Sequence, residues 1–78
     1  MNQCIVNVIE KSVFVTFNKI VKNGCIEVWS MDENISLLTK KEIRDTNSTN
    51  LNTNAKKGKY RLEINFDNHQ IIKFISIN

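Results

Sequence analysis

The sequence predicts an all-β fold, a small antiparallel β-sandwich, and three observations predict it. Tyr60, Leu62, Ile64 and Phe66 alternate with Lys59, Arg61, Glu63 and Asn65, the period-two pattern of a strand with one buried and one wet face. Asp67-Asn68-His69 then reads as a tight turn, from which Gln70 to Ile77 returns as a partner strand. Elsewhere the chain offers short apolar runs separated by polar turns, six or seven strands in all, without a convincing helix. Two sheets over one core are the economical arrangement, and a small open barrel is the alternative closure.

Taken in order, Cys4 to Ile9 is nearly continuous in apolar residues and makes the first strand. Glu10-Lys11-Ser12 breaks it, and Val13 to Phe17 follows, rich in β-branched and aromatic side chains. Asn18 to Gly24 is polar around the pair Ile20-Val21 and reads as a connection that dips back into the core. Cys25 to Ser30 is the third strand, Met31 to Asn34 a turn, and Ile35 to Thr39 the fourth strand. Ile35 to Arg44 also contains good helix formers with Asn34 as an N-cap, so helix stands beside strand there; the turn spacing on both sides favours strand. Asp45 to Lys57 is polar, with Leu51 its one sizeable apolar residue. It holds at most a short edge strand over Ser48 to Asn52, the rest being loop. Gly58 precedes the Tyr60 strand and supplies freedom for a sharp entry.

Seventy-eight residues make one domain, residues 1–78. A chain of that size buries only about 60–65% of its unfolded surface, so its core is thin. No apolar run approaches the roughly 18 residues of a membrane-spanning helix, and no basic segment followed by an apolar stretch marks a signal peptide. The chain has no proline, two glycines and twelve asparagines. Asparagine tolerates positive φ and can take over turn positions, although a coding bias towards Asn, Lys and Ile accounts for the excess equally well.

The net charge is +3, with bases clustered at Lys40, Lys41 and Arg44 and at Lys56, Lys57, Lys59 and Arg61. Such clusters suit phosphates or an anionic surface, while edge-strand lysines also serve to discourage aggregation. The only histidine, His69, sits in a turn and cannot by itself build a Ser/His/Asp or Cys/His order. The eight carboxylates are scattered, and Asp32-Glu33-Asn34 lacks the alternating ligands of a calcium loop. Cys4 and Cys25 lack the spacing of a zinc site. They are either two packed thiols or, if their strands lie side by side, one disulfide. Asn34-Ile35-Ser36 and Asn47-Ser48-Thr49 match glycosylation sequons as chance occurrences in an Asn-rich chain. No catalytic residue, metal ligand or cofactor site emerges, and the chain is expected to be no enzyme.

Trp29 stands out. If Ile26 and Val28 face the core, alternation sets Trp29 outside beside Cys25 and Glu27, where an exposed tryptophan can anchor a partner. A shifted register or a covering layer would instead bury it.

The order of elements resembles a known group. An apolar strand, Ile26-Glu27-Val28-Trp29-Ser30, a turn at Asp32-Glu33-Asn34, a long polar stretch, Gly58-Lys59-Tyr60-Arg61-Leu62-Glu63-Ile64 and a closing strand follow one another over residues 13–77. This looks like the small immunoglobulin-like sandwiches of Bacteroidetes, one group being short exported proteins of unknown function. The other is the C-terminal sorting domain of the Por secretion system. The resemblance implies that Tyr60 is a corner tyrosine whose hydroxyl bonds to nearby backbone, with Gly58 as its structural companion. Two departures stand out: Asn34 replaces the usual glycine and must then be left-handed, and the chain finishes Ser76-Ile77-Asn78 where sorting domains finish on a base. The second departure disfavours the sorting-signal version, as does the lack of a cargo domain in front.

The function expected on this likeness is a non-enzymatic binding or scaffolding module, periplasmic, cell-surface or secreted, that meets a protein or glycan. Trp29, Lys56, Lys57, Lys59 and Arg61 are its expected contact residues. The alternative is a small basic cytoplasmic protein, a phage-type inhibitor or nucleic-acid-binding module that acts through its Lys and Arg loops.

Overall fold

The computed structural model describes residues 4–32 and 34–78. Five strands, β1 (Cys4–Ile9), β2 (Ser12–Ser30), β3 (Ser36–Asn52), β4 (Gly58–Phe66) and β5 (His69–Ile77), form one antiparallel sheet. The sheet curls into a half-barrel. Among the described residues no helix is long and apolar enough to cross a membrane.

The organising element is the β2/β3 hairpin. β2 pairs with β3 over nearly its whole length, from Ser12 opposite Asn52 to Ser30 opposite Ser36. Along its other side β2 meets β1 first, with Cys4 opposite Phe17, and then β4, with Gly24 opposite Phe66 and Ser30 opposite Tyr60. The two halves of β2 are separated by an irregularity in which residues 17–20 stand against the single Asn47 of β3. Surplus residues on one strand bend and twist a ladder. Asp45, at φ 51°, adds a second break in β3 at the same level. A one-residue bulge at Leu38 follows between Val28 and Trp29.

This corrects the expected strand count. The expected strands over 13–17 and 25–30 are two arms of β2, and those over 35–39 and 48–52 are two arms of β3. The supposed connection over Asn18–Gly24 and the supposed loop around Asp45–Asn47 both lie inside strands. Pairing across the hairpin keeps both segments extended despite their polar composition, so one sheet curls where two separate sheets were expected. The segment over which helix and strand competed is strand from Ser36 onward. The turn expected at residues 31–34 runs through Glu33, which lies outside the described residues, and the φ of Asn34, expected to be left-handed, rests on Glu33 as well.

The core fills the inner face of the curl. Val13, Val15 and Val21 from β2, Ile26 and Val28 beyond the bend, Leu62 and Ile64 from β4, and Ile77 from β5 are fully buried. Phe17 from the first arm meets Phe66 of β4 with ring centroids 4.9 Å apart, which ties the two sides of the bend together. Ile20, by contrast, faces solvent. Gly24 is required where it sits: a Cβ there would come within 2.5 Å of the Asn65 carbonyl oxygen and 3.0 Å of Phe66.

Polar anchors close the connections. Asp67 and Asn68 form the β4–β5 turn with φ of 43° and 69°, both in the left-handed region that a type I′ hairpin needs. Asp67 also reaches back to the bend: its carboxylate accepts from the backbone amides of Lys22 (3.2 Å) and Asn23 (3.1 Å), and its own amide donates to the Asn23 carbonyl (3.0 Å). Thr53, the one buried polar residue of the described core, donates from its hydroxyl to the Lys11 carbonyl at 2.8 Å and accepts from the Ala55 amide.

Candidate binding face

Alternation along β2 sorts Ile26 and Val28 inward and Cys25, Glu27 and Trp29 to the outer face. Register then decides which outer residues meet. Trp29 lies opposite Leu37 of β3 on one side and Arg61 of β4 on the other, and Arg61 lies opposite Phe74 of β5. Leu37, Trp29, Arg61 and Phe74 thus make one row across four strands. The next row runs Lys40, Glu27, Glu63, Ile72.

Trp29 is half-buried, because its neighbours cover it in part. The Arg61 guanidinium carbon stands 5.4 Å from the indole centroid, a cation–π placement of the kind worth about 0.5–1 kcal/mol at exposed sites. The indole Nε1 donates to Glu27 Oε1 at 3.3 Å, so the ring is held from its edge and its face. Arg61 Nε approaches Glu63 Oε2 to 2.8 Å without the angle of a hydrogen bond, and is thus a charge contact that leaves the N–H unspent. Glu27 and Glu63 face each other directly across β2 and β4. Like charges so placed repel. Lys40, at 4.0 Å from Glu27, and Arg61 beside Glu63 offset that repulsion. The result is a rigid aromatic–cation pair braced by two carboxylates, flanked by exposed apolar side chains at Leu37, Ile72 and Phe74.

The remaining residues singled out in the sequence are dispersed. Lys59 shares the outer face of β4 with Arg61 and lies opposite Ser76, whereas Lys56 and Lys57 are exposed in the connection before β4. Lys41 stands opposite the fully buried Ile26 and therefore points to the inner side. Arg44 lies opposite Asn23 near the bend. Tyr60 is buried, and its hydroxyl donates to the Lys56 carbonyl at 2.7 Å, four residues upstream. Gly58 has a φ of 159°, close to fully extended.

Cys4 is buried on the inner face of β1, while Cys25 is half-buried on the outer face of β2 opposite Asn65 and Glu42, so both thiols are free. Burial pushes the Cys4 thiol above its ordinary pKa, with Lys73 acting weakly the other way. Asparagine Nδ2 of residue 65 lies 4.0 Å from Cys25 Sγ. These two line one wall of a shallow, open groove of about 790 Å³ that ends at the β4–β5 turn. His69 is the first residue of β5 there, exposed, with its ring 5.5 Å from that of Phe66. Among the described residues no group of three metal-ligating side chains comes together.

Sequence reasoning passed over Leu37, Ile72 and Phe74. In β5 both faces are apolar, with Ile71, Ile75 and Ile77 on one and Ile72 and Phe74 on the other, so alternation alone does not say which is outside. The pairing of Ile75 with buried Tyr60 decides it. No family model matches the chain, and no curated protein matches it in sequence.

Proposed function

We propose that the chain is a non-enzymatic binding or scaffolding module that meets a protein or glycan through the outer face around Trp29. The observation that carries this reading is the row Leu37, Trp29, Arg61, Phe74, an aromatic and a cation held together and ringed by apolar side chains. Tryptophan and arginine are the residues most often found at the energetic centre of interfaces, and a braced pair loses little freedom when a partner arrives.

The same reading treats the curled sheet as an immunoglobulin-like sandwich. β1 with the first arm of β2 and the second arm of β3 makes one layer, and the remaining strands make the other. The Tyr60 hydroxyl on the Lys56 carbonyl, at the entrance to β4, fits the corner device of that architecture. An exported, envelope-associated setting rests on the resemblance of residues 13–77 to the Bacteroidetes sandwiches. Intact mass of the protein from its native source tests it: a removed leader supports export, and a retained initiator Met1 counts against it.

The basic-protein alternative finds less support. Lys40 lies on the outer face and Lys41 on the inner one, Arg44 lies near the bend, Lys56 and Lys57 lie in the connection before β4, and Arg61 already faces Glu63 and Trp29. Phosphate binding favours a single basic stripe.

The deciding experiment is calorimetric titration with envelope glycans, candidate envelope proteins and nonspecific DNA, on the wild type and on Trp29→Ala, which removes the only tryptophan of the chain. The reading expects saturable binding to a glycan or protein that weakens about 30-fold or more in Trp29→Ala, the size of a hot-spot loss. Salt-sensitive binding to DNA that ignores Trp29→Ala would overturn it in favour of the basic alternative.

A further inference from the structure

Among the described residues the half-barrel leaves three strands with an unpaired side: β1, β3 and β5. An open edge displays backbone donors and acceptors to any passing strand, and proteins blunt such edges with shortness, bulges or charges. β1 is short, at six residues. β3 is broken at Asp45 and Asn47, carries Lys40 to Glu42 and Arg44, and has its Asn50 carbonyl taken by Lys41. β5 has none of these defences. It runs nine residues without a register break against β4, and Lys73, its one fixed charge, points to the inner side. On the outer side Phe74 is 71% exposed and Ile72 49%, and β1 approaches β5 without forming a ladder with it.

We propose that β5 is a homodimer edge: two copies of this chain pair antiparallel through β5, with Phe74 on the two-fold axis. The register argues for a second copy. Opposed residues of an antiparallel pair share a face, so the axis of a symmetric pair must pass through a residue rather than between two. An axis at Lys73 gives the longest overlap but sets lysine against lysine, which is destabilising. An axis at Phe74 sets Ile72 against Ser76, Lys73 against Ile75 and Ile71 against Ile77, and brings the two Phe74 rings together. An axis at Ile72 gives an overlap of the same length as the axis at Phe74 but sets the exposed Phe74 against the polar Gln70. Phe74 therefore defines the best self-matched register that β5 allows.

The paired edges join the two sheets into one continuous surface on which the row through Trp29 is repeated by symmetry. This gives the dimer two copies of the face around Trp29 on one side, so a ligand with repeated epitopes gains from bivalency. An edge of this length buries less than the roughly 1,600 Å² of a standard interface, which puts the pair in the size class of weak, transient associations.

Sedimentation velocity of the full chain, from micromolar to submillimolar concentration, measures the association. Wild type is expected to shift from monomer to dimer, and Phe74→Lys to stay monomeric with an unchanged circular dichroism spectrum. In a Cys25→Ser background, Phe74→Cys is expected to cross-link to itself on mild oxidation, since opposed Cβ atoms lie about 4.5–5.5 Å apart. Ile72→Cys is expected to cross-link with Ser76→Cys and not with itself. Trp29→Ala is expected to leave the dimer intact, which separates this inference from the binding role of that face. A monomer at every concentration would overturn the proposal. So would a dimer that survives Phe74→Lys, or Ile72→Cys cross-linking to itself as well as Phe74→Cys does.

Discussion

Lys41 and Asn50 stand nine residues apart on one strand, yet Lys41 Nζ donates to the Asn50 backbone carbonyl at 2.7 Å. Nine residues of straight strand span about 30 Å, far beyond the reach of a lysine side chain. The bond therefore exists only because β3 doubles back at Asp45 and Asn47. It fastens the two arms of the hairpin across the open side of the curl and occupies an edge carbonyl. Lys41→Met is expected to lower stability by about 0.5–1 kcal/mol, the range for a solvent-exposed bond to a carbonyl. Chemical denaturation checks it, and a midpoint identical to that of the wild type would remove the strut from the account.

Tyr60→Phe deletes one hydroxyl from a buried ring and orphans the Lys56 carbonyl. A loss of about 1 kcal/mol is expected, which in a domain of this size lowers the thermal midpoint by about 4–8 °C. An unaltered midpoint in calorimetry would deny Tyr60 its role at the corner.

Gly24→Ala is expected to be the most damaging small substitution in the chain. The added methyl meets the Asn65 carbonyl oxygen at 2.5 Å, and that atom belongs to the backbone of a central strand. Overpacking of this kind costs about 1–3 kcal/mol. Urea denaturation is the check, and a variant as stable as the wild type would mean that β2 and β4 separate freely at the bend.

Asp67 gives the fold an acid limb. The backbone amides of Asn23 first and Lys22 second hold its carboxyl below the ordinary value of 3.8. A depressed carboxylate contributes stability that is present above the ordinary value and is lost as pH falls through the folded value. Asp67→Asn, which cannot ionise, is expected to flatten the decline of stability below that range. Parallel acid limbs in the two proteins would place the acid sensitivity elsewhere.

Thiol reactivity separates the two cysteines. Burial raises the Cys4 pKa and hides its sulfur, whereas Cys25 is half-exposed on the outer face. A disulfide reagent is expected to label one thiol per native chain, at Cys25, and two after denaturation. Rapid labelling of both in the native state would mean that β1 opens readily.

What the sequence disclosed depended on where the information lay. The β4–β5 hairpin was legible because Tyr60 to Phe66 alternate cleanly and Asp67-Asn68 tolerate positive φ locally. Asparagine does take turn positions that glycine usually fills, at Asn54 and Asn68. The continuity of β2 through Asn18–Gly24 was not legible, because the irregularity at residues 17–20 scrambles the alternation. β3 was harder still: only Ile43 and Leu51 among its apolar residues are buried, and the strand is kept extended by partners distant in the chain. The face around Trp29 was half legible. Alternation placed Trp29 beside Glu27, but its meeting with Arg61 and Leu37 depends on register across strands, which no local pattern encodes.

The long hairpin also sets an order of assembly. Ser30 and Ser36 need only a short turn to meet, whereas Ser12 and Asn52 must close a loop of forty residues. Closure entropy rises with loop length, so pairing propagates outward from residues 31–35 and must cross the bend before the far arms register. β1 meets β2 through a two-residue turn, Ile9 opposite Ser12, so that hairpin closes locally and does not wait for the far arms. Refolding followed by pulse-labelled amide exchange would therefore protect Ile26 and Val28 before Val13 and Val15, whose β3 partners Leu51 and Thr49 arrive only after the bend has formed.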